Sequence, residues 1–378
     1  MLGVACSQGP GRLDPKELVH PVEVDGGGDA TLIEPPPADC GGTFCGDSFL
    51  GERRDPPNLY FLVDRSGSME AKPAGSKLTK YDMARVVIGD LLRAIGHRVR
   101  YGAAIFPASA TSEQCEAGRE LIPMTLGKPP SCTGETDPEL PFTLSEFGKY
   151  ATGGTTPTSA ALAKLAPDLE DLAGKTYLVL VTDGAPNCNP DASCDAELCT
   201  LNIEHQTVGR TTCSGDVNCC DPELFGKNAG GNCVDLDESE RQVKDLADHG
   251  IPTYVVGMPG AEPYAGVLDR LAEAGGTART GTASAYYAVS DQDELEQALY
   301  VIGTGLAIRC SIDLETPPDD PDHVNVYFDG EVVPADPDDG WSWDGDTRIV
   351  VHGDACDALK SGNVIDARAV YGCDTVVR

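Results

Sequence analysis

The sequence predicts a doubly wound α/β fold: a mostly parallel sheet with helices on both faces, a cysteine-rich insert, and a small C-terminal β module. Three observations predict it. Leu59-Tyr60-Phe61-Leu62-Val63, Tyr101-Gly102-Ala103-Ala104-Ile105-Phe106 and Tyr177-Leu178-Val179-Leu180-Val181 are largely apolar runs without alternation, as in strands buried on both faces. Segments with helical periodicity separate them. Acids close the first and third runs, where open α/β sheets place their ligand sites.

Composition narrows the function. At 378 residues the chain can hold two domains, or one large domain with appendages, and 40% hydrophobic residues allow a sizeable core. The 61 acids outnumber 28 Lys and Arg, giving a formal net charge of −33. That excess argues against nucleic-acid binding, which needs bases to neutralise phosphates, and against attraction to anionic lipid surfaces. It fits a well-solvated surface in salty surroundings or with bound divalent cations.

The 15 cysteines indicate the compartment. None falls in Cys-x-x-Cys spacing, and no two of His20, His97, His205, His249, His323 and His352 lie three to five residues apart, so zinc-ribbon and finger patterns are absent. A disulfide framework is the reading that fits, and it calls for an oxidising periplasm or cell exterior. No apolar stretch is long enough to span a bilayer. Met1-Leu2-Gly3-Val4-Ala5-Cys6 resembles the end of a bacterial lipoprotein signal and makes Cys6 a lipidation candidate. Gly3 stands where that signal usually has Leu, and its charged and hydrophobic parts do not precede it. The expectation is an exported bacterial protein of the outer membrane, periplasm or cell surface, meeting a membrane only through that anchor.

Residues 1–57 read as a tether, punctuated by Gly26-Gly27-Gly28, Pro35-Pro36-Pro37 and Pro56-Pro57, with Cys40 and Cys45 closing a small loop. Residues 58–306 are the α/β domain. After the first strand, 78–95 is an amphipathic helix with Ala84, Ile88, Leu91 and Ile95 on one face. A strand at 101–106 leads into an irregular excursion, 107–141, whose Cys115 and Cys132 are expected partners, and 145–150 adds a short helix. The loop Ala151-Thr152-Gly153-Gly154-Thr155-Thr156-Pro157-Thr158 runs into a helix bearing Ala160, Leu162, Leu165 and Leu169. Its glycines let backbone crowd an ion, and a Thr or Ser is available as a cap. The strand at 177–182 ends in Asp183-Gly184.

From about 186 to 234 periodicity vanishes and seven cysteines appear: Cys188, Cys194, Cys199, Cys213, Cys219, Cys220 and Cys233. A segment so poor in large apolar residues needs covalent staples to hold a shape. With an odd count, one bond leaves the insert or one thiol stays free. Cys310, Cys356 and Cys373 are the expected outside partners, and connectivity stays open. Helices at 235–249 and 264–274 then alternate with strands at 251–257 and 286–289. Ser290 with Asp293 resembles a helix-start box for a helix bearing Leu295, Leu299 and Ile302. Residues 307–378 read as a β module, with β-prone runs at 324–328, 348–351 and 364–370 between turn clusters, and Cys356 and Cys373 available as its staple.

Asp64, Ser66 and Ser68 form Asp-x-Ser-x-Ser after the first strand, one carboxylate and two hydroxyls suited to a hard cation. Thr155 lies on the Gly-rich loop and Asp183 at the end of the third run. Any one cluster is also ordinary turn chemistry. Together, in this order and over about residues 58–306, they resemble the von Willebrand factor type A domain and its metal-ion-dependent adhesion site.

The resemblance implies a central parallel sheet, with hydroxyl oxygens from Ser66, Ser68 and Thr155 and carboxylates from Asp64 and Asp183, some acting through water. It implies Mg²⁺, with Ca²⁺ or Mn²⁺ as substitutes, and a protein partner presenting an acidic side chain. Magnesium gives up water reluctantly, and few direct carboxylates leave it residual positive charge for such a group. The insert begins three residues after Asp183, so it is expected to overhang this face as a binding surface, a restriction on access or a plain staple.

Two other function classes compete. An enzyme is not expected, since no His shares a recognisable motif with Ser66 or Ser68, and hydrolysis at the metal is the alternative. A calcium-stabilised structural or assembly protein of the cell envelope is the other. Asp336-Pro337-Asp338-Asp339-Gly340 lacks EF-hand spacing and the closing Glu, so a solvated turn is expected there. Trp341 and Trp343, at alternate positions, suit one strand face packed on a core rather than a carbohydrate-stacking pair.

Overall fold

Strand β1 (Asn58–Asp64) is buried along its whole length because it has an apolar layer on each side. Leu59, Phe61 and Val63 belong to one core cluster, Tyr60 and Leu62 to the other, as the period of two of a strand requires. Each such side chain contributes roughly 1.5–3 kcal/mol when buried, so a strand apolar on both faces is most stable at the centre of a sheet. The computed structural model describes residues 32–33, 48–49, 53–54, 56–110, 115–127, 140–189, 191–226, 229–307, 309–360, 364 and 367–377.

The chain continues through α1 (Lys80–Ile95), β2 (Arg100–Phe106), β3 (Arg119–Leu126), α2 (Thr158–Glu170), β4 (Thr176–Thr182), α3 (Leu236–Asp248), β5 (Thr253–Gly257), α4 (Ala265–Ala274), β6 (Tyr287–Ala288) and α5 (Gln292–Ala307). The sheet order is β6-β5-β4-β1-β2-β3, parallel except for β3. Helices α1 and α5 cover one face and α2, α3 and α4 the other. This is the doubly wound α/β architecture expected. The chain moves outward in one direction from β1 to β3 and in the other from β4 to β6, so the switch point lies between β1 and β4, beyond their carboxyl ends.

Several local expectations are corrected. The excursion after β2 contains a strand, β3, that pairs antiparallel with β2 through register shifts. Its single-sided pairing at the sheet edge tolerates Arg119, Glu120 and Pro123, which hid it. Helix α2 begins after Pro157 with no side-chain cap. At α5 the box is made by Glu294, whose Oε2 accepts from Ser290 N and Oγ, while Asp291 accepts from Glu294 N; Asp293 is not the partner.

The C-terminal module is β-rich as expected. Strands β7 (Ser311–Asp313), β8 (Val324–Phe328), β9 (Glu331–Val333), β10 (Trp341–Trp343), β11 (Arg348–Val351) and β12 (Ala367–Tyr371) form two antiparallel sheets, joined among the described residues by one α-helix, α6 (Gly353–Lys360). Trp341 is buried, donates its indole N–H to Val333 O at 2.9 Å and meets Trp343 edge-on. Asp336 Oδ1 accepts from Asp338 N and Asp339 N, an ordinary turn. Within the stretch expected to be tether, Ser48–Phe49 adds an edge strand to β12, and Leu32–Ile33 pairs with Arg53–Arg54. Cys6, Cys40, Cys45 and Cys132 lie outside the described residues. No helix among the described residues is long and apolar enough to cross a membrane.

Bridges depart from the expected pairs. Cys115 joins Cys188 rather than Cys132, so the bond leaving the insert goes to the loop after β2 and not to Cys310, Cys356 or Cys373. Cys310 pairs with Cys356, displacing the expected Cys356–Cys373 staple, and Cys373 is also disulfide-bonded. Inside the insert, Cys194–Cys233, Cys199–Cys220 and Cys213–Cys219 close three loops. The sulfurs of Cys194, Cys220 and Cys233 lie within 4.8 Å of one another, but all three are in bridges and offer no thiolate.

Candidate metal centre

Parallel pairing brings the expected residues to one edge. The register runs Val63 opposite Val181, which places Asp64 beside Thr182 at the carboxyl ends of β1 and β4. Thr182 Oγ1 donates to Asp64 Oδ2 at 2.6 Å, and Ser66 N donates to Asp64 Oδ1 at 2.7 Å. Ser66 Oγ and Ser68 Oγ are 3.1 Å apart, and Ser68 Oγ donates to Asp183 Oδ1 at 2.7 Å. Asp64, Ser66 and Asp183 are buried. Burial, and after it the charge of Asp183, push the Asp64 carboxyl up to about 7 against the hydrogen bonds from Thr182 and Ser66.

The third ligand loop is held to the motif by backbone. Gly67 N donates to Gly154 O at 3.1 Å and Gly153 N to Arg65 O at 2.8 Å. Glycine is required at both loop positions. Gly153 and Gly154 have φ of +145° and +85°, and a Cβ there would stand 2.5 Å from Ala110 O or 2.9 Å from Pro107 Cγ. Arg65, the first variable residue of the motif, is buried and braces the same loops. Its Nε donates to Pro107 O at 2.8 Å, its Nη1 donates to Ala151 O, and its guanidinium lies 5.8 Å from the Tyr150 ring centroid.

Thr155 carries the telling detail: its Oγ1 is buried and has no hydrogen-bond partner among the described residues. An orphaned hydroxyl on the ligand loop costs free energy unless something accepts its lone pairs. A hard cation does so, and with Ser66 and Ser68 it would find three neutral oxygens backed by two carboxylates. The residues present fit such an ion. Four of the five, Asp64, Ser66, Ser68 and Asp183, are linked by direct hydrogen bonds to one another, and Thr155 joins through its loop. Among the described residues, the hydroxyls of Ser66 and Ser68 bond each other and Asp183, not an imidazole.

Two residues at the site were missed in the sequence. Thr182 closes the strand before Asp183, and only the pairing of β4 with β1 reveals its bond to Asp64. Lys80 Nζ lies 2.7 Å from Asp183 Oδ2, with side chains 11% and 0% exposed. Its signal was a basic residue in the first turn of a helix, where the dipole disfavours positive charge.

The insert sits on this edge, as expected from its place after Asp183. Asn187 N donates to Thr156 O and Asn187 Oδ1 accepts from Thr156 N, both at 2.9 Å. Asp235, at the far end of the insert, accepts from Asn189 Nδ2 at 2.8 Å and from Ser159 Oγ. Tyr264 Oη donates to Glu204 Oε1 at 2.9 Å. With the Cys115–Cys188 bridge, the insert is tied to the loop after β2, the Thr155 loop and the loop between β5 and α4.

No family model matches this chain, and no curated protein matches it. Among solved structures it is similar to the PilB minor pilin from Streptococcus sanguinis (13% identity, TM-score 0.42, 70% of this chain and 63% of that one). It is also similar to the vWF domain of the type V pili tip protein Mfa5 from Porphyromonas gingivalis (9%, 0.42, 70% and 98%). A third is a von Willebrand factor type A structure from Catenulispora acidiphila (11%, 0.38, 85% and 57%). The chain thus spans less than two thirds of the PilB and Catenulispora structures. The sheet order, with three oxygen-bearing motifs meeting at its carboxyl edge, makes this a doubly wound α/β domain.

Proposed function

We propose that the protein is an extracytoplasmic binding module whose adhesion site holds a divalent cation and presents it to an acidic group on a protein partner. The observation that carries this reading is the partnerless Thr155 Oγ1 on a loop bonded to the Asp-x-Ser-x-Ser motif. Ser66, Ser68 and Thr155 would hold the ion directly. Asp64 and Asp183, each already accepting from protein donors, would act through water. A bound Mg²⁺ supplies an exchangeable position that a carboxylate can fill. Salt screens the protein's own negative field beyond roughly 8–10 Å, so an acidic partner can reach it. Binding rather than turnover is the proposed role, because among the described residues no imidazole stands against the Ser66 or Ser68 hydroxyl.

The bridges of the insert support an oxidising compartment for the working protein, and a lipid anchor at Cys6 is the proposed attachment. The test is Asp64→Ala, with Asp64→Asn as the variant that keeps the side-chain shape. Calorimetric titration with Mg²⁺ and Mn²⁺ should show uptake by the parent chain and none by either variant, with unchanged circular dichroism. Chelator-sensitive capture of surface proteins should disappear in parallel. Cation uptake that persists in both variants would defeat the reading.

A further inference from the structure

We propose that Lys80 is a built-in counter-charge of the cation site, setting its affinity low and its appetite for an acidic partner high. The inference rests on the cation-site reading above and concerns a residue outside the five expected ligands.

Lys80 is the first residue of α1 and is buried, although a cation in the first turn opposes the helix dipole. A buried ammonium is expensive unless paired, and the partner here is Asp183, with Nζ 2.7 Å from Oδ2. The other oxygen of Asp183 accepts from Ser68 Oγ, so the same carboxylate faces the site on one side and Lys80 on the other. Space for the ammonium is made by backbone. Gly260 has φ +96°, and a Cβ there would stand 2.8 Å from Lys80 Nζ. The position is therefore built rather than incidental to the surface.

The charges decide the consequence. Asp64 and Asp183 bring two negative charges when ionised, and Lys80 cancels one. A divalent ion on hydroxyl ligands is then left under-neutralised, and an incoming carboxylate of an acidic peptide is the group that completes it. Removing the ammonium restores the full negative charge of Asp183, itself one of the five expected ligands. A unit charge at about 4–6 Å shifts such equilibria by one to three decades, which fixes the sign and scale of the test.

The experiment is calorimetric titration of the full chain with MnCl₂ and MgCl₂ in Lys80→Met and Lys80→Gln. Met removes charge and donor; Gln removes charge but keeps a donor for Asp183 Oδ2. Both variants should bind cation about tenfold or more tightly than the parent, and saturating Mn²⁺ should raise their melting temperatures by more than it raises the parent's. Equal or weaker affinity in the variants, with parent binding intact, overturns the role of Lys80 and leaves the cation site standing. Tightening in Met alone assigns the effect to the hydrogen bond and overturns the charge argument. No uptake by any of the three chains overturns the cation site itself, and this inference with it.

Discussion

The six-stranded sheet and the cysteine-rich insert meet at the same edge but hold their shapes by different means. The sheet is held by apolar layers: Phe61, Leu62 and Leu180 are each about fully buried between helices. Within the insert the buried apolar cluster consists of Cys199, Cys213, Cys219, Cys220 and Cys233, and its polar hub is Asn202, which donates to Ser214 O and Val217 O and accepts from Cys219 N. Hydrophobic burial scales with area, and the insert has little area to bury. Its order comes from bridges that restrict the unfolded chain. Position at the carboxyl edge of the sheet therefore depends on covalent bonds in one region and on packing in the other.

That contrast predicts which insult reaches which region. The largest effect is expected from reduction. Each of the three bridges within the insert is worth roughly 2–4 kcal/mol, so a reducing agent should unfold the insert while the sheet survives. Limited proteolysis should then cut within 189–232 and spare residues 236–307. Protection of the insert after reduction would show a packed core that the bridges merely decorate.

Next is Phe61→Ala, which opens a cavity at the centre of β1. It should cost about 3–5 kcal/mol and lower the denaturant midpoint of the α/β domain as a whole. A loss below about 1 kcal/mol would mean the two apolar layers relax far more than a close-packed core allows.

The smallest expected effect lies at the junction. Asn187→Ala removes the acceptor for Thr156 N, one residue from Thr155, and should cost about 1–2 kcal/mol. If the insert positions the ligand loop, cation affinity should fall together with stability. Lost stability with unchanged affinity would reduce this contact to a plain brace.

Much of the α/β domain was legible because its elements are long and strongly patterned. Strand β1 and helix α1 needed only an apolar run and a three- and four-residue spacing. That these five residues would meet was legible because each stands at a strand end or on a Gly-rich loop. Strand β3 was not, because an edge strand paired on one side carries charges and a proline that erase the apolar run. Helix α6 was hidden among turn signals, and the strand at Ser48–Phe49 is too short to have a period.

By itself the sequence determined most of the strand and helix order of the α/β domain, the oxidising chemistry its cysteines call for, and which oxygen-bearing residues to expect at the site, because these follow from local pattern and residue type. Only the tertiary structure decided that Cys115 meets Cys188, that Thr182 holds Asp64, and that Lys80 pairs with Asp183. The reason is distance along the chain. Lys80 and Asp183 are 103 residues apart, and Asp64 and Thr182 are 118. No local rule relates such residues until β1 and β4 lie side by side and bring their carboxyl ends together.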